Sequence, residues 1–117
     1  MTLLEIHMTV TEAGPVLTLS GEADVTTVAR LEEALDGQVT PVTRTLLVEV
    51  SGLRFADSAT IGALIRVARR LGDQAGRLVL LNPQPAVART ITLLGVDQLL
   101  TLRGEAGTDF PETFPSA

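Results

Sequence analysis

Residues 55–62, FADSATIG, place one carboxylate and two hydroxyl groups where a buried strand pattern gives way to a helical one. Asp57 and Ser58 are both residue types that cap helices, because their side-chain oxygens accept hydrogen bonds from unpaired backbone N–H groups. With Asp57 available as the cap, the Ser58 hydroxyl is partly redundant for that task. An exposed serine can also accept a phosphate, whose negative charge changes binding. From the residues alone, Ser58 is either a structural cap or a switch.

A serine can also serve as a nucleophile, but that chemistry needs a base within hydrogen-bonding distance. The only histidine, His7, lies on the polar side of an alternating segment, far from Ser58 in the predicted topology. Asp24 and Asp57 could form an acid–base pair or bind a cation, although carboxylates at helix starts are more typical of caps. No nucleophile elbow, Walker A or dinucleotide-binding sequence is present. The sequence therefore predicts a non-enzymatic protein with no cofactor and no metal ion.

Composition narrows the classes of partner. The chain of 117 residues has a formal net charge of -5 and only 3% aromatic residues, which argues against a nucleic-acid partner. It contains no cysteine, so thiolate catalysis and cysteine-built zinc sites are excluded. No apolar run approaches the roughly 20 residues that a membrane span requires. We therefore expect a cytoplasmic protein that has no membrane partner.

The N-terminal half predicts a hairpin followed by a helix. Residues 4–10 alternate between apolar and polar types, which indicates a strand with one buried face, and residues 16–19 resume the strand pattern after a turn. Residues 25–36 carry apolar side chains at helical spacing. Asp24 is the predicted N-cap of this helix and Gly37 its C-terminal stop.

The C-terminal half alternates strands with helices. Residues 45–50 and 77–81 are nearly continuous apolar runs, as in buried parallel strands. Residues 61–72 form the clearest amphipathic pattern, and residues 85–95 predict a helix that opens on proline and closes on glycine. Residues 99–102 predict a short edge strand.

The predicted fold is α/β, with a small, mixed and mostly parallel sheet of about four to five strands and helices packed mainly on one face. We assign residues 1–103 to this domain and predict a flexible or loosely docked tail over residues 104–117, which are rich in glycine, proline and polar types. Loops that follow parallel strands meet at one edge of the sheet. Asp24, Asp57 and Ser58 should therefore share one surface.

Four features together resemble the STAS domain family, specifically the bacterial anti-sigma factor antagonists. They are GEAD after the second strand, LLVEVSGLRFADSATIG, an amphipathic helix with arginines on its outer side, and NPQPAVARTITLLGV. The resemblance covers residues 4–102, and its strand–loop–Asp–Ser–helix motif is the most specific part.

The resemblance implies that Ser58 is phosphorylated by an anti-sigma factor with serine kinase activity. In the family, the unphosphorylated form binds that kinase and frees the sigma factor for transcription, whereas the phosphorylated form is released until a protein phosphatase acts on it. The expected partner-binding residues are Asp24, Asp57, Ser58, Thr60, Ile61 and Gly62.

Two positions depart from the family pattern, since Ala59 and Thr60 stand where Ser or Thr and then Gly are usual. Thr60 adds a β-carbon near the predicted contact surface, and its hydroxyl could be a second phosphate acceptor. The departure also leaves an alternative function open. In it, the chain is a non-phosphorylated STAS-like subunit or scaffold of a larger assembly, such as a lipid transporter or a stress-signalling complex.

Overall fold

The computed structural model describes residues 3–12, 14–96 and 98–104, which form five strands and three helices. In chain order the elements are β1 (Glu5–Thr11), β2 (Gly14–Ala23), α1 (Val28–Asp36), β3 (Thr45–Ala56), α2 (Ser58–Gly72), β4 (Arg77–Leu81), α3 (Pro85–Leu93) and β5 (Thr101–Arg103). Apart from Gly104, the predicted tail lies outside the described residues.

The five strands form one sheet in the order β1-β2-β3-β4-β5. β1 and β2 pair as an antiparallel hairpin, and every later neighbour pairs in parallel. Because each parallel crossover joins adjacent strands in the same direction, its right-handed sense places the three helices on one face of the sheet. The predicted mixed, mostly parallel α/β fold is confirmed.

The apolar core lies between this sheet face and the helices. Leucine, valine, isoleucine and alanine side chains build it, as the shortage of aromatic residues requires. The largest fully buried side chains are Leu17, Leu19, Leu31, Leu35, Leu46, Leu53, Ile61, Leu64, Leu71, Leu78, Leu80 and Ile91. α2 supplies three of them and packs against α1, β3 and β4, so the start of α2 is anchored to the rigid centre of the domain.

Two strands continue beyond the ends that were predicted from their apolar runs. β2 continues through Ala23 and β3 through Ala56, and these two residues are register partners at the end of the parallel pair. Backbone pairing between neighbouring strands carries both beyond the residues that hydrophobic periodicity marks. The segment GEAD is therefore mostly strand, and only Asp24 lies in the loop.

The prediction of a buried face along β1 is wrong for its outer half. Leu4 is buried and Ile6 packs against the core, but Met8 is 39% exposed and Val10 is 80% exposed. β1 is an edge strand, and within the described chain the helical layer covers only its beginning. There the Arg30 Nη2 atom of α1 donates a hydrogen bond to the Leu4 carbonyl at 2.8 Å.

Candidate functional site

Asp57 follows β3 and caps α2, as predicted. Its Oδ1 atom accepts hydrogen bonds from the Thr60 backbone N–H and from the Thr60 hydroxyl, both at 2.9 Å. The backbone at Asp57 is extended (φ -85°, ψ -179°), which is the usual conformation of a helix cap. One carboxylate oxygen thus fixes the first turn of α2 through two donors of a single residue.

The second oxygen of Asp57 joins this turn to the loop that follows β2. Oδ2 accepts a hydrogen bond from the Val25 backbone N–H at 3.0 Å, and the Asp57 N–H donates to the Ala23 carbonyl at 3.2 Å. The two loops therefore lie side by side at the carboxyl ends of β2 and β3. We call this region, residues 24–27 and 57–62, the carboxyl edge.

Asp24 also lies on the carboxyl edge, but it does not cap α1. Its Oδ1 atom accepts from the Thr26 backbone N–H at 2.9 Å and from the Thr26 hydroxyl at 2.6 Å, and the chain turns there before the helix starts. Thr27 is the residue at the N-cap position, but its side chain makes no cap bond to α1. Its hydroxyl oxygen instead accepts from the Asp24 N–H at 3.0 Å, and the hydroxyl donates to the Asp24 carbonyl. Short polar side chains that bond to nearby backbone compete with helix in this way. The predicted role of Asp24 as N-cap is wrong.

The same contacts define the charge of Asp24. The hydroxyl and then the backbone N–H of Thr26 hold the pKa of this carboxyl below its usual value of 3.8. Both donors bond to the ionised form and favour it. Asp24 therefore carries a full negative charge at neutral pH beside the start of α2.

Ser58 is the first residue of α2 and is exposed. Among the described residues, none forms a hydrogen bond with its hydroxyl, and Asp57 provides the cap of the helix. The oxygen lies at the N-terminus of a 15-residue helix, where backbone N–H groups and the helix dipole favour negative charge. The side chain is available to another protein.

The other predicted contact residues divide into buried and exposed positions. Thr60 is 0% exposed and Ile61 is 1% exposed, so neither side chain can contact a partner directly, and this expectation is corrected. The Thr60 hydroxyl points inward to Asp57, which also rules it out as an accessible second phosphate acceptor in this conformation. Gly62 is exposed, and a β-carbon built on it would meet no atom within 4 Å.

Two exposed apolar residues beside the carboxyl edge were not identified from the sequence as contact residues. Val25 is 66% exposed and Phe55 is 51% exposed, although the helical pattern predicted Val25 to be buried. Phe55 lies two residues before Asp57. Val25 is the residue whose backbone N–H donates to the Asp57 side chain. Phe55 is one of only three phenylalanines in the chain, a scarcity that could have drawn attention to it.

The third loop at this end of the sheet, NPQP, contacts β3 rather than Ser58. The Gln84 Nε2 atom donates to the Ser51 carbonyl at 2.8 Å, and the Asn82 Nδ2 atom donates to Glu49 at 2.9 Å. It therefore supports the sheet beneath the carboxyl edge.

The arginines on the outer side of α2 face acidic residues of α1. Arg66 forms an ion pair with Glu32, and Arg70 forms one with Asp36 at 3.3 Å. Both arginine side chains remain more than half exposed, so these ion pairs lie on the solvent side of the helical layer. No helix in the described ranges is both long and apolar enough to cross a membrane.

Comparisons with known proteins identify the family. A family model described as "Mlab, STAS domain" matches residues 6–102. An anti-sigma F factor antagonist from Lysinibacillus sphaericus is 31% identical over 88 residues, covering 74% of this chain and 75% of the relative. Members of this family are generally non-enzymatic.

Solved structures agree with this assignment. An anti-sigma factor antagonist from Mycobacterium paratuberculosis is 26% identical with a TM-score of 0.76, covering 86% of each chain. The anti-sigma factor antagonist SpoIIAA in its unphosphorylated form is 29% identical with a TM-score of 0.63, covering 88% of this chain and 90% of that one. SpoIIAA of Bacillus in the phosphorylated form is 27% identical with a TM-score of 0.61, covering 88% and 93%. The chain belongs to the STAS domain family of anti-sigma factor antagonists.

Proposed function

We propose that this antagonist binds an anti-sigma factor with serine kinase activity when Ser58 is unmodified and is released when Ser58 is phosphorylated. Its binding to the kinase then controls how much sigma factor is available for transcription. The observation that carries the proposal is the exposed Ser58 hydroxyl, which has no hydrogen bond within the described structure while Asp57 caps the helix beneath it. A side chain that has no structural task can be modified without unfolding the domain.

The charges around Ser58 support a local electrostatic switch. A phosphate adds about -1.5 to -2 charges at neutral pH. As a general scale, two unit charges about 4 Å apart repel by about 1 kcal/mol in water and by about 4 kcal/mol at an effective dielectric near 20. The N-terminus of α2 returns only ~0.3–1 kcal/mol at an exposed site. A partner that buries the carboxyl edge would exclude water there and strengthen the repulsion with Asp24 and Asp57.

The composition of the carboxyl edge supports a protein partner. Val25 on the carboxyl edge and Phe55 beside it offer exposed apolar area, and Gly62 leaves open space for close approach to the first turns of α2. Apolar and aromatic side chains at the centre of an interface supply most of its binding energy. In the proposal Phe55 provides the main apolar contact with the partner. A phosphate on Ser58 opposes that binding.

The two forms in which SpoIIAA has been solved support the modification step. SpoIIAA has been solved in unphosphorylated and phosphorylated forms, and this chain aligns with most of each. In the proposed step the Ser58 oxygen attacks the γ-phosphate of ATP bound to the kinase, which releases ADP and a proton. A protein phosphatase then hydrolyses the phosphoserine and restores binding.

The alternative of a structural subunit was favoured by Thr60 in place of glycine. Thr60 is buried and its hydroxyl donates to Asp57, so this substitution does not alter the exposed surface. Isolation of the untagged complex from the host distinguishes the two functions. A small ATP-binding protein as the main companion supports the switch, whereas a membrane ATPase or a very large particle supports the alternative.

Phosphorylation tests the proposal. The full chain is incubated with the anti-sigma factor of the same host and Mg-ATP, and mass spectrometry locates the phosphate. We expect one phosphate on Ser58, none on Ser58→Ala, and undiminished modification of Thr60→Val, which loses only the buried hydroxyl. Absence of phosphate from the wild type, or its location on Thr60, would contradict the proposal.

A further inference from the structure

We propose that β1 pairs with β1 of a second copy of this chain, in an antiparallel arrangement that joins two sheets into one. β1 is the edge strand of the sheet, and no other strand of the described residues pairs with its outer side. Unpaired backbone groups on such an edge can accept another strand.

β1 lacks the usual features that prevent this pairing. Its seven residues pair with β2 in one unbroken register, from Glu5 opposite Ser20 to Thr11 opposite Gly14, without a bulge. The strand contains no proline and no lysine, and its one acidic residue, Glu5, lies at its first position. All of its residues except Ile6 are exposed.

Apolar side chains on β1 are left uncovered on the helical face of the sheet. Register places Ile6 opposite Leu19, Met8 opposite Leu17 and Val10 opposite Pro15. Leu17 and Leu19 are buried, whereas Met8 is 39% and Val10 is 80% exposed. The apolar row of the core therefore continues onto β1 beyond the part that the helices cover.

The sequence of β1 is complementary to itself about Met8. If a two-fold axis passes between the two copies of Met8, Ile6 lies opposite Val10 of the second copy and His7 lies opposite Thr9. Every apolar residue then meets an apolar residue on the same face, because directly opposed residues of antiparallel strands point the same way. Glu5 lies opposite Thr11, so no like charges face each other.

A second copy meets all of these pairings with the same strand and needs no other sequence, so we assign it as the occupant. The opposite edge of the sheet, β5, has just three residues and offers too little backbone to extend the assembly. Pairing through β1 therefore closes as a two-fold dimer and does not continue into a fibre. Strand pairing alone buries less area than a standard interface, so we expect the dimer to dissociate on dilution.

The proposed dimer does not depend on Ser58. β2 separates β1 from β3 and from the start of α2 in the sheet. Met8 pairs with Leu17, whereas the carboxyl edge begins after Ala23 at the far end of β2. A result that overturns the proposed dimer therefore leaves the proposed switch at Ser58 standing, and the reverse also holds.

Cysteine cross-linking tests the register directly, because the wild-type chain has no cysteine. Under mild oxidation, Met8→Cys should give a disulfide-linked dimer, since the two copies of residue 8 meet at the axis. Val10→Cys should cross-link far less, because its two copies are four positions apart, about 13 Å along the strands. Val42→Cys, at another exposed valine, measures random collision. Equal cross-linking of the three variants would overturn the register.

Sedimentation equilibrium tests the dimer without any cross-link, at concentrations from about 5 to 500 µM, a range suited to a small interface. We expect a monomer–dimer equilibrium for the wild type and for Val42→Lys. Met8→Lys should raise the dissociation constant about tenfold or more, since two ammonium groups would face each other across the axis. A wild type that stays monomeric throughout would overturn the proposal and leave the edge to an extended strand of a different protein.

Discussion

The starts of α1 and α2 resemble each other in sequence and differ in structure. Each follows the end of a parallel strand, and each has an aspartate close to a pair of hydroxyl residues. Asp57 bonds to the residue three positions later and caps α2 directly. Asp24 bonds to the residue two positions later, so the chain turns first and α1 begins only at Val28.

The difference shows how the residues after an aspartate decide what it does. After Asp24 come Val25, Thr26 and Thr27, whose branched side chains disfavour helix. The hydroxyls of the two threonines also bond back to Asp24. After Asp57 come a serine and an alanine, which impose no competing bond. One aspartate therefore organises a short turn, whereas the other connects a helix, its preceding strand and a neighbouring loop.

Substitution of Asp57 should have the largest effect on stability. Asp57→Ala removes the cap and two further hydrogen bonds, and we expect the free energy of unfolding to fall by about 2–3 kcal/mol. Urea denaturation followed by circular dichroism measures it. Asp57→Asn is the matched control, because its amide oxygen keeps the cap while its NH₂ group cannot accept from Val25, so the loss should be about 1 kcal/mol. A loss for Asp57→Ala below that of Asp57→Asn would contradict the role of Asp57 as the junction.

The Thr60 hydroxyl should contribute less than Asp57. Thr60→Val keeps the buried shape but leaves one bond to Asp57 unmade, and we expect a loss of about 1 kcal/mol in the free energy of unfolding. Thr60→Ser keeps the hydroxyl and loses a methyl group, so it separates packing from hydrogen bonding. If Thr60→Val unfolds at the same urea concentration as the wild type, the hydroxyl does not support the cap.

Asp24 should show the smallest effect, visible mainly as a change in its titration. Its pKa in the folded protein lies below 3.8, so its stabilising contribution is present above that pH and is lost as pH falls through the lower folded value. Thr26→Val removes the hydroxyl donor and should move the pKa of Asp24 back up towards 3.8. Titration of the side-chain carboxyl carbon by NMR measures this shift. An unchanged pKa would show that the Thr26 hydroxyl does not stabilise the Asp24 carboxylate.

The sequence predicted the parts of the fold in which pattern and packing agree. The ends of β4 and the start of α3 at Pro85 match the structure, because each is marked by a residue type with a strong local preference. The sequence also placed the two aspartates on one surface, through the rule that loops after parallel strands meet at one edge. The Val25–Asp57 hydrogen bond confirms that placement.

The errors occur where tertiary position decides the outcome. The same alternation is buried at Leu4 and exposed at Val10, since only the start of β1 lies under the helices. Thr60 was expected at the contact surface because it stands where the family usually has glycine, but the first turn of α2 directs its side chain inward. Neither feature is encoded by local spacing, and both require the arrangement of the whole sheet.

Binding of the anti-sigma factor by the two forms of Ser58 tests the central claim most directly. Isothermal titration calorimetry compares the unmodified chain with the chain phosphorylated on Ser58, at low and high salt. We predict that phosphorylation raises the dissociation constant at least tenfold, about 1.4 kcal/mol, and that high salt reduces the difference. Ser58→Ala should bind as tightly as the unmodified chain. Equal affinity of the phosphorylated and unmodified forms would contradict the account.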